Sequence, residues 1–321
     1  MSRAAAIDIG SNSVHLLVAE VGTDGTLETL ADESLQLGLG RVVDRHGRLG
    51  AATRRATLEA VAEFAARATE LGAGRALLMG TQPLRHADDR SLLKREIRDA
   101  TGLDLAVLSH DDEATLTLVG VTAGRSVDGP LLVMDVGGGS SEVIIMVPGS
   151  APVVGAFAVG SSRLSDQVVE HDPPTALEIA ELRAQARLLV EPLPVASPVQ
   201  GIVSGGSGTN VSRLLGRERT TRLTVDDLEA ALALLGTRPA ADLAAETGLT
   251  DRRVRQLAAG VASVAALMDR YGLRATEVSD AGLREGAVLS EARFGADWMA
   301  RLHAPGTIEH EDAAGTPPDG A

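Results

Sequence analysis

A chain of 321 residues with a formal net charge of −14 lacks the basic face that neutralises nucleic-acid phosphates or an anionic membrane, so any polyanionic ligand must be held locally. It has no cysteine, which excludes disulfides, thiolate zinc sites and a cysteine nucleophile, and no apolar run near the roughly 18–20 residues of a membrane helix. With 44% hydrophobic but only 2% aromatic residues, its cores are expected to consist of Ala, Val, Leu and Ile.

The chain enters its first strand without a basic or long apolar leader, which points to a cytoplasmic protein with neither nucleic acid nor membrane as partner. The length suits about two domains of roughly 150 residues. Strands are expected over 4–9, 13–21 and 26–36, the last two separated by the turn Gly22-Thr23-Asp24-Gly25. A helix over 53–71 follows, with Leu58, Val61, Phe64, Ala65, Ala68 and Leu71 at helical spacing and Gly72 past its end. Strand 75–80, helix 89–101, strand 103–108 and a helix from 110 complete a β-β-β-α-β-α-β-α order. That order returns with strands over 130–135, 141–147 and 152–159, helices near 162–170 and 175–190, a strand over 200–204 and a helix from 208. The pattern reads as an α/β protein in which a mixed sheet flanked by helices is duplicated, with units over 1–122 and 123–298. Helices over 225–235, 239–246, 251–271 and 284–294 and a strand at 275–279 fill the remainder, Thr224 and Thr250 serving as N-caps. Residues 299–321, rich in Pro, Gly and acid from 304 onward, are expected to form a disordered tail.

One short phrase is written twice. Residues 7–18 read Ile-Asp-Ile-Gly-Ser-Asn-Ser-Val-His-Leu-Leu-Val, and residues 134–145 read Met-Asp-Val-Gly-Gly-Gly-Ser-Ser-Glu-Val-Ile-Ile. Each copy leaves a carboxylate and several backbone N–H groups at a strand tip, chemistry suited to a metal and a phosphate. If the two units face each other, Asp8 and Asp135 share one cleft, and two carboxylates suffice for a Mg²⁺ ion that keeps several waters. Gly137, Gly138 and Gly139, followed by Ser140, form the stronger loop. Three successive glycines cost chain entropy that a simple hairpin rarely needs, whereas close backbone approach to an anion uses them. Ser11, Asn12 and Ser13 are its counterpart.

The run Ser109-His110-Asp111-Asp112-Glu113 opens a helix after a strand. Glu113 is either one more acid favouring the helix start or a catalytic group. Arg85 lies in a loop after strand 75–80, beyond a strand's carboxyl end, where it either reaches a phosphate or is solvated. Ser204-Gly205-Gly206-Ser207-Gly208-Thr209-Asn210 is a third strand-to-helix turn rich in backbone donors. His15, His46 and His86 form no metal-ligand spacing and receive no role.

Together these residues resemble the exopolyphosphatase and guanosine pentaphosphate phosphatase family, a branch of the superfamily of actin, sugar kinases and heat-shock chaperone ATPases. The resemblance runs from Ala5 to Phe294. It is carried by Asp8-Ile-Gly-Ser-Asn-Ser13, Asp112-Glu113-Ala114, Asp135-Val-Gly-Gly-Gly-Ser-Ser-Glu142, Gly160-Ser-Ser-Arg163 and Gly282-Leu-Arg-Glu-Gly286. It implies duplicated actin-like, ribonuclease H-like domains with an interdomain cleft. Glu113 matches a catalytic glutamate that orients and deprotonates the attacking water, and Arg85 an arginine that contacts substrate phosphate. Asp135 matches the principal metal-associated aspartate, with Glu142 on the following strand and Asp8 across the cleft. Asn12, Gly137, Gly138 and Ser140 match phosphate-contacting positions, and Ser11, Ser13, Gly139, Ser161, Gly205 and Gly206 are expected beside them. Many relatives continue through a further helical region, so the chain resembles the short, two-domain branch.

The expected activity is a Mg²⁺-dependent exopolyphosphatase, with a monovalent cation such as K⁺ as a second ion and a homodimer as the assembly. It would release terminal orthophosphate from linear polyphosphate. Guanosine pentaphosphate is the rival substrate. A non-hydrolytic actin-like module that binds nucleotide or polyphosphate is the alternative of a different class.

Overall fold

The computed structural model describes residues 2–123, 127–157, 159–217 and 222–302. In the first half β1 (Ser2–Ile9), β2 (Ser13–Val21), β3 (Leu27–Gln36), β4 (Arg75–Gly80) and β5 (Leu105–Val107) form a sheet ordered β3-β2-β1-β4-β5. β1 is antiparallel to β2 and parallel to β4, so the sheet is mixed. In the second half β6 (Leu131–Val136), β7 (Ser141–Met146), β8 (Val153–Phe157), β9 (Gln200–Ser204), β10 (Arg222–Thr224) and β11 (Ala275–Ser279) are ordered β10-β11-β9-β6-β7-β8. Without β10 the two orders coincide, which is the duplication implied by the repeated phrase.

The helices of the first half are α1 (Leu39–His46), α2 (Gly50–Glu70), α3 (Gln82–His86), α4 (Arg90–Thr101) and α5 (His110–Thr122). Those of the second are α6 (Ser161–Val168), α7 (Ala176–Val190), α8 (Gly206–Leu214), α9 (Val225–Leu235), α10 (Ala240–Thr247) and α11 (Asp251–Arg270), before α12 (Leu283–Phe294) and α13 (Trp298–Arg301). Among the described residues no helix is long and apolar enough to cross a membrane.

Successive side chains of a strand point to opposite faces, and this alternation sets which helix covers which face. Ala5, Ile7 and Ile9 of β1 pack with Val61 and Phe64 of α2 and Leu93 and Ile97 of α4. Ala4 and Ala6 pack on the other face with Leu116 of α5 and Ala287 and Val288 of α12. In β6, Leu132 and Met134 join the large cluster with Leu182 of α7 and Leu257 and Val261 of α11, whereas Leu131 and Val133 meet Ala114, Leu118 and Val121 of α5. α5 is therefore wedged between the two sheets. Both cores are mainly aliphatic, as the composition required.

α12 crosses α5 backbone to backbone. A Cβ on Gly286 would overlap the Leu116 carbonyl oxygen, and one on Gly120 would overlap that of Gly282. The end of the chain thus returns to the first sheet, where Trp298 and Leu302 are buried in the same cluster as Ala4 and Ala6. Residues 299–301 of the expected tail are helical, and its remainder from 303 lies outside the described residues.

Several elements differ from expectation. α1 and β10 were not foreseen. Arg85 sits in the short helix α3 rather than in a loop, because Pro83 falls in a first helical turn, where its missing N–H is not needed. α8 starts at Gly206, two residues early, because Gly205 at φ 79° turns strand into helix within one residue. Thr224 and Thr250 cap α9 and α11 as expected.

The crossing supplies a stability test. Gly286→Ala must push α12 off α5, and overpacking of this kind costs about 1–3 kcal/mol, so its thermal midpoint should fall by several degrees. An unchanged midpoint would show that the crossing tolerates a methyl group.

Candidate active site

The alternation that covers the sheets also aims their terminal carboxylates. Asp8 lies on the Ala4 and Ala6 side of β1, and Asp135 on the Leu131 and Val133 side of β6. Glu142 is the cross-strand partner of Asp135 and shares its face with Ile144. All three point to the side occupied by α5, whose first turn carries Glu113. The four acids line one cleft of about 1130 Å³ between the halves. One turn beyond Glu113, Thr117 donates to Asp135 Oδ2 at 3.3 Å.

The start of α5 is fixed by a capping box. Ser109 Oγ accepts from Asp112 N at 3.1 Å, and Asp112 Oδ2 accepts from Ser109 N at 2.9 Å. Arg85 Nη1 donates to Glu113 Oε2 at 2.7 Å and to Leu108 O at 3.1 Å. Its Nη2 lies 4.0 Å from Glu142 Oε1. His110 Nδ1 is 2.9 Å from the same Glu142 oxygen.

Four acids gathered out of water disfavour one another's ionised forms. Burial, then the charge of Glu142, push Glu113 up to about 8, against the opposing pull of Arg85. Burial, then Asp135, push Glu142 up to about 8. Asp8 is raised to about 7 by burial and by Glu113, while Arg284 opposes the shift. Asp135 is raised by burial, and its hydrogen bond from Thr117 acts in the other direction. Asp8 Oδ1 is buried without a hydrogen-bond partner among the described residues. Such an oxygen is costly until a proton or a cation meets it. An all-oxygen set of Asp8, Asp135 and Glu142 suits a hard divalent cation such as Mg²⁺. Among the described residues, ligand atoms of His110, Glu113 and Glu142 all lie within 4.8 Å of one another.

The two small-residue loops are built alike. Carbonyls of the second are taken by the start of α6: Gly137 O by Ser161 N at 2.8 Å, Gly138 O by Ser162 N at 3.0 Å and Gly139 O by Gly160 N at 3.1 Å. Because a trans peptide directs its C=O and N–H oppositely, the N–H groups of Gly138, Gly139 and Ser140 turn away from α6, on the side of the cleft they line. In the first loop the N–H of Gly40 takes Ser11 O at 2.8 Å, and that of Gly38 takes Asn12 O at 2.8 Å. The unforeseen α1 is thus the counterpart of α6. Reciprocal ion pairs join these helices across the halves, with Arg41 Nε donating to Asp166 at 2.7 Å and Arg163 Nε to Asp44 at 2.7 Å.

Asp8, Ser11, Asn12, Ser13, Glu113, Asp135, Gly137, Gly138, Gly139, Ser140, Glu142, Ser161, Gly205 and Gly206 all line the cleft. Arg85 stands behind Glu113 instead. The glycine triplet is pressed against side chains as well as open space: a Cβ on Gly138 would lie 2.6 Å from Asn12 Nδ2, and one on Gly139 would overlap Ser11 Oγ. Asn12 is also committed across the cleft, its Nδ2 donating to Ser162 Oγ at 2.8 Å and its Oδ1 accepting from Arg252 Nη2 at 2.8 Å. Sequence reasoning missed Thr117, His110, Arg213 and Arg253. Thr117 and His110 lie four residues after and three residues before Glu113, a helical spacing that places them beside it. Arg213 and Arg253 line the cleft, and burial together with the charge of Arg213 lowers the pKa of Arg253. No local pattern marks them among 30 basic residues.

Two facing mixed sheets thus bring twin loops rich in backbone donors and a buried acid cluster to one cleft, an arrangement suited to phosphate chemistry. Residues 17–293 match the Ppx/GppA phosphatase family, and the chain belongs to it. Exopolyphosphatase 1 of Mycobacterium tuberculosis is 28% identical over 98% of this chain and 96% of that protein. The guanosine-5'-triphosphate,3'-diphosphate pyrophosphatase of Vibrio cholerae is 25% identical over 88% of this chain and 58% of its own length. The fold is similar to that of an exopolyphosphatase from Cytophaga hutchinsonii, with a TM-score of 0.81 at 23% identity over 91% of this chain and 98% of that one. The Aquifex aeolicus family member gives a TM-score of 0.80 at 23% identity, with the same coverage.

The raised acids set a pH dependence. Glu113 in the folded protein holds a proton that the unfolded chain releases between pH 4.5 and about 8, so its contribution to stability is present below that window and lost as pH rises through it. Cation-free protein should therefore lose thermal stability across this range, and added Mg²⁺ should raise the midpoint more at pH 8 than at pH 5. Equal gains at both values would contradict the titration assigned to the cluster.

Proposed function

We propose that the protein is a divalent-metal-dependent exopolyphosphatase that releases terminal orthophosphate from linear polyphosphate. The observation that carries this reading is the placement of Glu113 on one wall of a cleft whose other walls are two N–H-rich loops. Phosphoryl transfer passes through a loose transition state, so positioning and charge compensation do most of the work. Arg85 holds Glu113 Oε2, which leaves Oε1 to orient a water and accept its proton. A carboxylate whose pKa lies near neutrality is well matched to that transfer.

The N–H groups of Gly138, Gly139 and Ser140 receive the terminal phosphate oxygens, and those of Asn12 and Ser13 face them from the first half. Arg213 and Arg253 compensate the charge of phosphates further along the chain. Asp135, Asp8 and Glu142 would hold a Mg²⁺ ion, which when bound neutralises phosphate oxygens facing these acids. Among the described residues no Phe, Tyr or Trp lines the cleft, which favours an inorganic chain over a nucleotide whose base must stack.

Orthophosphate release from polyphosphate of several lengths, guanosine pentaphosphate and ATP, each with Mg²⁺, separates the substrates, and polyphosphate should be turned over fastest. Glu113→Gln keeps the size of the side chain and should lower kcat by roughly 10²–10⁴-fold while substrate still binds. Turnover within a few-fold of the parent would reduce Glu113 to an acid that merely favours a helix start.

A further inference from the structure

The geometry points to His110 as a nitrogen ligand of the cation at the acid cluster, which makes this site prefer a first-row transition ion such as Mn²⁺ to Mg²⁺. The inference rests on the reading above only in placing a cation among these acids. His110 is the first residue of α5, immediately after the Ser109 cap, so the helix start that presents Glu113 also fixes His110. The separation of three residues sets both side chains on one side of the first turn.

Two features of its contacts carry the assignment. Adjacent ligands of an octahedral ion with bonds of about 2.1 Å lie about 3 Å apart. His110 Nδ1 and Glu142 Oε1 are 2.9 Å apart, and Glu113 brings a carboxylate oxygen within 4.8 Å of both. The ring nitrogen also lies 2.9 Å from Glu142 Oε1 and 3.3 Å from the donor Arg85 Nη2. With a hydrogen on Nδ1 the Arg85 contact is a donor facing a donor. With a lone pair there, Glu142 must either carry a proton or share a cation with the nitrogen, because a bare carboxylate would set lone pair against lone pair. A cation shared by Nδ1 and Glu142 takes the place of that proton and leaves Arg85 to Glu113. Mg²⁺ favours oxygen donors and gives up water reluctantly, whereas imidazole suits first-row transition ions.

The test uses the full chain loaded with Mn²⁺. Electron spin echo modulation from imidazole ¹⁴N should appear in the parent and vanish in His110→Gln. Calorimetric titration should show Mn²⁺ affinity falling roughly tenfold or more in that variant, while Mg²⁺ affinity changes by no more than about threefold. A parent spectrum without nitrogen modulation, or failure of Mn²⁺ to bind, overturns the assignment whatever the variant does. Orthophosphate release from polyphosphate keeps the two readings apart. A parent that hydrolyses polyphosphate without nitrogen modulation loses only the His110 ligand, and a nitrogen-ligated parent that releases no phosphate keeps the ligand and loses the activity.

Discussion

The position of α5 between the two sheets is the constraint on which the site depends. Its Leu116 packs toward the first sheet and its Ala114 and Leu118 toward the second, so the helix cannot move from one sheet without opening the other. Strand alternation then directs Asp8, Asp135 and Glu142 to the side this helix occupies, and its first turn delivers Glu113 to the same place. Apolar packing thus holds together four carboxylates that repel one another. The α12 crossing at Gly120 and Gly286 reinforces the arrangement from behind.

Charge is divided within the cleft. The acids occupy the strand tips, with Arg85 and Arg284 as close counter-charges, while Arg213 and Arg253 line the second half. A protein of net charge −14 can hold a polyanion only if its positive and N–H-donating groups are concentrated in this way. The twin loops do so without side-chain charge, because helix starts consume their carbonyls and turn their N–H groups in the opposite direction. The glycine triplet serves this arrangement twice, letting the loops bend and letting Ser11 and Asn12 of the other half approach them closely.

Much of this was legible in the sequence because it is local. The alternating strands, the duplicated Asp-Gly phrase and the Ser109 cap each depend on residues within a few positions of one another. Helix α1 was not legible, since its stretch begins at Gly38 and carries a buried face of only Leu39, Gly40 and Val43. The return of α12 to the first sheet was equally hidden, because an apolar helix face has the same pattern whichever sheet it covers. Glu113 and His110 were obscured by their own cap, which explains a polar helix start completely. The ties of Arg85 to Glu113 and of Asn12 to Ser162 join residues 28 and 150 positions apart, and nothing in either neighbourhood announces them.

If apolar packing forces these acids together, a cation entering the cleft must displace protons. Calorimetric titration of Mg²⁺ or Mn²⁺ at pH 6.5, repeated in buffers of different ionisation enthalpy, counts them directly. With Asp8 near 7 and Glu113 and Glu142 near 8, release of about one to three protons per protein is expected. Binding with no proton release would mean that the acids are already ionised, and would contradict the crowded, buried cluster at the centre of this account.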